Sequence, residues 1–193
     1  MQISRIRWYI KPETYFFGAV IVLIFPLSWV AAWLIAAVVH ELSHYAALRI
    51  LRVRVDAVTI GISDTVMKTE AMETPTEIIC ALAGPLGGLC LLFLSRWMPR
   101  VAICALFQSL YNLLPIFPLD GGRALLSLLD CFLPADFAKK IYNIVKFSMF
   151  SFFLIISVAS MYFRLGIILL VFTAILFLKS KKENPLENGI NKL

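Results

Sequence analysis

The feature that most constrains this chain is a stretch from Tyr15 to Val39 without a single charged residue, running directly into His40-Glu41-Leu42-Ser43-His44. Largely apolar sequence then continues to Leu51. A helix needs about 20 apolar residues to cross the hydrocarbon of a bilayer, so the stretch is too long for one comfortable span. Pro26 divides it, which predicts a short first span near Tyr15 to Phe25 and a second from Ser28 to Ile50.

The rest of the sequence has the same character. Of its 193 residues 61% are hydrophobic and 16% charged, where a soluble domain is roughly one quarter charged. Further apolar runs predict spans from about Pro75 or Glu77 to Leu94, Val101 to Leu119, Tyr142 to Phe163 and Leu165 to Leu178. Between the second and third, Arg52 to Ser63 alternates apolar and polar residues as a strand does, and Gly61 with the polar stretch to Thr74 suggests a hairpin or loop. The fold class expected is therefore an all-α polytopic membrane protein, with about six transmembrane helices and a small membrane-associated β-hairpin. One domain is expected over residues 1–180, followed by a polar tail at 181–193.

Charge placement sets the expected topology. With both termini cytoplasmic, Arg96, Arg100 and Arg164 fall outside and the other 15 of the 18 Lys and Arg lie inside or near the inner face, the asymmetry of the positive-inside rule. This rule accounts for the net charge of +6 without nucleic acid as a partner, since no aromatic-interleaved basic stripe is present. Met1 to Lys11 is basic, but no small-residue cleavage site follows it, so the first apolar run is expected to remain. Asp130, Asp136, Lys139 and Lys140 are expected to mark a cytoplasmic turn, and Phe147, Phe150, Phe152 and Phe153 to face lipid or pack. Cys80, Cys90, Cys104 and Cys131 form no C-x-x-C pair and read as packing residues.

His40 and His44 are four apart, and on a helix such residues differ by about 40° in azimuth. Both imidazoles can reach one metal. Zinc accepts imidazole nitrogen, and a catalytic site uses three protein ligands so that water takes the fourth position. Glu41 stands beside the first ligand and can take the proton of that water. The chain has two histidines, both in this motif, and ionisable groups at membrane depth are costly enough to mark function. A third ligand must come from elsewhere. Asp120 is the one acid between Glu77 and Asp130, at the point where Pro115, Pro118, Gly121 and Gly122 interrupt the fourth apolar segment. The alternative is that Asp120 caps a helix starting at Gly121 and pairs with Arg123. Asn112 lies on the same segment, and its amide either donates to a developing oxyanion or satisfies a backbone carbonyl.

His-Glu-Leu-Ser-His, then Ala-Gly-Pro-Leu-Gly-Gly-Leu at Ala83 to Leu89, then Asn112-Leu-Leu-Pro-Ile-Phe-Pro-Leu-Asp-Gly-Gly-Arg123, resembles the site-2 protease family of intramembrane metalloproteases. The resemblance covers Trp29 to Leu126, and is greatest with the stage IV sporulation protein FB branch. It implies one Zn²⁺ per chain held by His40, His44 and Asp120, catalysis by Glu41, and transition-state support by Asn112. It also implies hydrolysis of a membrane-associated or transmembrane substrate, such as a membrane-tethered transcription regulator, in the bacterial cytoplasmic membrane. The strand at Arg52 to Ser63 would present an edge to which an extended substrate adds. Two departures stand out. Gly88 replaces an Asn found in many relatives, and no CBS or PDZ domain is expected, so ATP regulation does not carry over. Rival readings are an ion-coupled transporter using the same ligands and a pseudoprotease that binds membrane proteins.

Overall fold

The computed structural model describes residues 7–61, 65–163 and 167–182. They are mostly helical and fall into two compact units that divide after Asn112.

The first unit contains β1 (Arg7–Ile10), α1 (Pro12–Ile24), α2 (Leu27–Ile50), β2 (Val55–Ile60), β3 (Thr65–Thr69), α3 (Thr74–Cys90) and α4 (Pro99–Asn112), with a 3₁₀ turn at Leu91–Leu94 between the last two helices. Pro26 is the N-cap of α2, so the division expected there is where the chain breaks: the ring suits a helix start and no helix interior. α2 ends in a Schellman motif, in which Val53 N–H donates to the Leu48 carbonyl (2.9 Å) and Arg52 N–H to that of Arg49 (3.2 Å). Arg52 takes the left-handed conformation, with φ 60°, that glycine usually supplies at this place.

The sheet corrects an expectation. Residues 7–10 form β1 and pair in parallel with β2, while β3 pairs with β2 antiparallel, in the order β1-β2-β3. The strand expected between Arg52 and Ser63 is thus the middle strand, with both rows of backbone groups engaged, and it offers no edge to a substrate. The open edges belong to β1 and β3. The expected hairpin is the β2–β3 pair, with a register shift between Val55 and Ala57; residues 62–64 at its tip lie outside the described residues. The sheet packs on the C-terminal end of α2 and on α3 through Leu48, Val55, Val58 and Cys80.

In the second unit, α5 (Asp120–Phe132), α6 (Ala135–Tyr162) and α7 (Ile168–Lys182) follow a non-helical segment at 113–119. The prolines break the helix as expected, and the freed backbone is satisfied inside protein: Phe117 N–H donates to the Tyr142 hydroxyl of α6 (2.6 Å), and Tyr142 is fully buried. A side chain at Gly121 or Gly122 would collide with the backbone of Leu113 or Ile116, so only glycine lets this segment fold back against the start of α5. The charges expected in a turn lie on helices: Asp130 on α5, and Asp136, Lys139 and Lys140 in the first turns of α6, which begins at Ala135, well before Tyr142. Acidic Asp136 near a helix N-terminus complements the helix dipole, which is why the charge run extends the helix. Lys179 likewise continues α7, and the tail beyond 182 lies outside the described residues.

Among the described residues, three helical stretches are long and apolar enough to cross a membrane: Leu27–Ile50, Thr74–Leu94 and Ala135–Tyr162. α1, α4 and α7 have 13, 14 and 15 residues, or about 20–22 Å of rise. Large apolar side chains point outward, Leu23 and Phe93 being 85% and 84% exposed, the inverse of a water-soluble surface. Cys80 is buried as expected, but Cys90 and Cys131 are exposed, and all four cysteines are free.

Candidate metal centre

Ala32, Ala36, His40 and Leu48 are buried along α2 at four-residue spacing, with half-buried His44 completing the ladder. The ridge they form is the one that packs against neighbouring helices, and small Ala at two of its rungs lets the helices approach. The histidines of the motif therefore face into the first unit because they fall on its packing ridge. His40 is 3% exposed.

The Nε2 atoms of His40 and His44 are 3.2 Å apart, with the two rings nearly perpendicular at 79°. His44 Nδ1 lies 2.7 Å from the carbonyl oxygen of Cys80 on α3. A carbonyl only accepts, so Nδ1 carries the proton and the neutral ring keeps its lone pair on Nε2, the atom that faces His40. Fixing the outer nitrogen of a ligating histidine in this way sets its tautomer and ring orientation. Two nitrogens held at 2.0–2.1 Å by a tetrahedral zinc lie about 3.3 Å apart, so the observed spacing fits two ligands of one ion.

The Ala-Gly-Pro-Leu-Gly-Gly segment of α3 accounts for that geometry. A Cβ at Gly84 would collide with the His44 imidazole, and one at Gly87 with the Ser43 hydroxyl. Pro85, inside α3, has no N–H for the carbonyl of Ala81, which loosens the turn that His44 approaches. Gly88 also has a local reason: a Cβ there would collide with the Ser109 hydroxyl of α4. Ser109 is fully buried, and its Oγ has no hydrogen-bond partner among the described residues.

Asn112 is the last residue of α4, and its amide nitrogen lies 3.4 Å from His40 Nε2. The first unit thus brings His40, His44 and Asn112 together, with the amide nitrogen beside the His40 imidazole. Glu41 is half-buried on α2, next to His40 in the chain. Asp120, also half-buried, is the first residue of α5 in the second unit; the N-cap is Leu119, with no side-chain capping bond, so Asp120 is not the cap. What sequence reasoning missed is the Cys80 carbonyl and the seat that Gly84 provides. Backbone carbonyls carry no residue signature, although the run of small residues marked the close approach.

No family model matches the sequence, and no curated protein matches it. Among solved structures, the chain is similar to the site-2 protease from Methanocaldococcus jannaschii, with a TM-score of 0.67 and 21% identity over 95% of this chain and 93% of that one. At this identity the likeness is one of fold. The chain is a membrane protein that shares the fold of that site-2 protease.

Proposed function

We propose that this chain is an intramembrane zinc metalloprotease of the site-2 type, hydrolysing peptide bonds of membrane-associated or transmembrane regulatory proteins. The observation that carries the reading is the pair of Nε2 atoms 3.2 Å apart, one of them with its proton committed to the Cys80 carbonyl on the opposite side of the ring. Asp120 is proposed as the third ligand. Two imidazoles and a carboxylate are a donor set that zinc accepts, with one position left open, and the solved structure of similar fold is named a site-2 protease. Zinc held there would supply Lewis acidity toward the scissile carbonyl and the attacking water. A carboxylate oxygen of Glu41 takes the proton from that water and hands it to the leaving amine. The Asn112 amide N–H stands beside His40 and donates to the oxyanion as charge develops.

The six-span arrangement is proposed with α1, α2, α3 with its 3₁₀ extension, α4, α6 and α7 as the spans, both termini in the cytoplasm of a bacterium. The short helices would then sit in a locally thinned bilayer. One domain over residues 1–180, kinship with the stage IV sporulation protein FB branch, and a membrane-tethered transcription regulator as substrate complete the reading. Co-expression with candidate membrane-tethered regulators tests it. Glu41→Gln lowers cleavage by about 10²–10⁴-fold while zinc content stays near one per chain, and Asp120→Ala loses the zinc. Equal cleavage by wild type and Glu41→Gln would overturn the mechanism, and metal flux without cleavage would favour a transporter.

A further inference from the structure

His44 has its outer ring nitrogen held by the Cys80 carbonyl, and His40 needs an equivalent. The need follows from the metalloprotease reading, on which this inference rests and in which His40 binds zinc through Nε2. The neutral ring then carries its proton on Nδ1, and that atom is buried away from solvent. A ligating histidine gives this proton to an acceptor, which fixes the ring and raises its basicity as a ligand. The acceptor must come from the interior of the first unit.

α4 offers one. α2 and α4 run in the same direction, with the Arg100 guanidinium over the Trp29 ring at one end (5.9 Å) and the Asn112 amide beside His40 Nε2 at the other (3.4 Å). Gln108 is one turn before Asn112 and about 40° from it around the helix, so it faces α2 as Asn112 does. Its Oε1 is buried and makes no hydrogen bond among the described residues, an uncommon state for a buried acceptor. Ser109 Oγ is also buried and unbonded there, but it lies about 60° to the other side of Asn112 and is turned to Gly88 of α3.

The orientation of the His40 ring agrees. Its Nε2 faces His44, one turn toward the C-terminal end of α2, and the two nitrogens of an imidazole point in nearly opposite directions. Nδ1 is therefore on the N-terminal side, the direction in which Gln108 lies from Asn112 on the parallel α4. The offset between those two residues is four positions, or about 6 Å. One hydrogen bond of about 2.9 Å does not cover it, and two through a water do.

We propose that Gln108 is a positioning residue for His40, its side-chain carbonyl taking the Nδ1 proton through one buried water that accepts from Nδ1–H and donates to Oε1. An amide does this without adding a charge to a site inside the bilayer.

The test uses the full chain purified in detergent. Zinc affinity is read by competition with a fluorescent chelator, and the two histidines of the chain are followed by nitrogen NMR of the zinc-loaded protein. Gln108→Leu should weaken zinc affinity on the order of tenfold and move the Nδ1 resonance of His40, leaving that of His44 in place. Gln108→Glu, whose carboxylate accepts the same proton, should keep the affinity at or above the wild-type value. Ser109→Ala removes a buried hydroxyl from the neighbouring position and should leave affinity and both resonances unchanged. Zinc affinity indifferent to Gln108→Leu would overturn the inference, since an amide buried for packing alone gives way to leucine at no cost to the metal. So would a His44 resonance that moves together with that of His40, or an equal loss in Ser109→Ala, because either reports a displacement of α4 as a whole. A wild-type chain that takes up no zinc would overturn the metalloprotease reading, and this inference with it.

Discussion

Two pairs of polar side chains sit inside apolar helices of this protein, and they are treated in opposite ways. In the second unit, Ser157 of α6 and Thr173 of α7 lie 3.1 Å apart, but each hydroxyl also bonds the carbonyl four residues back on its own helix, Ser157 to Phe153 (2.6 Å) and Thr173 to Leu169 (2.8 Å). Each group is satisfied locally, and the contact between them is an addition. In the first unit, His40 and His44 meet at 3.2 Å, yet His44 commits its proton across to another helix, leaving a lone pair aimed at its neighbour. In the serine–threonine pair both hydroxyl protons are committed to backbone carbonyls of their own helices. The histidine pair instead brings two ring nitrogens to one point, with the Asn112 amide nitrogen 3.4 Å from one of them, and such convergence is what a metal site requires. Polarity within a membrane helix therefore says less about function than whether it is fixed within its own helix or held from another one.

The contrast makes graded predictions. The largest effect is expected where the seat of the imidazole is filled. Gly84→Ala pushes His44 from the Cys80 carbonyl, and should weaken metal affinity by about 10–100-fold, read by competition with a fluorescent zinc chelator; unchanged affinity would mean that the seat does not set the ring. Next is the contact between α3 and α4. Gly88→Ala should destabilise by about 1–3 kcal/mol in denaturation monitored in detergent, because the Ser109 hydroxyl stands in the way. Ser109→Ala should relieve part of that cost in the double variant, and by itself stabilise by about 1 kcal/mol by removing an unpaired buried hydroxyl. Additive effects of the two substitutions would break the proposed link. Smallest is Ser157→Ala, expected to cost about 0.6 kcal/mol and to leave zinc content unaltered. A loss of zinc in that variant would erase the distinction between the two pairs.

Much of this molecule was legible beforehand because membranes impose simple rules. Apolar length located α2, α3 and most of α6, and Pro26 marked the start of α2 to within a residue. Charge misled at α6: Asp136, Lys139 and Lys140 were read as a turn, whereas acids at a helix start and lysines able to extend toward an interface are compatible with helix. β1 was missed because four residues beside a basic N-terminus carry little pattern, and a strand is defined by its partner. Gly88 read as the loss of a polar group. Its reason is local packing against Ser109, a residue 21 positions away that no motif connects to it.

The sequence by itself determined that the chain belongs in a bilayer, that a helix would carry His40, Glu41 and His44 on neighbouring azimuths, and that Pro115 to Gly122 would interrupt regular structure. These follow from composition and helical period, which act over a few residues. Only the tertiary structure decided that the middle strand is β2, that Asn112 faces His40, and that the Cys80 carbonyl holds His44 with its lone pair toward its partner. These depend on which backbone approaches which side chain across distant segments, and a carbonyl oxygen has the same chemistry at every position until packing selects one.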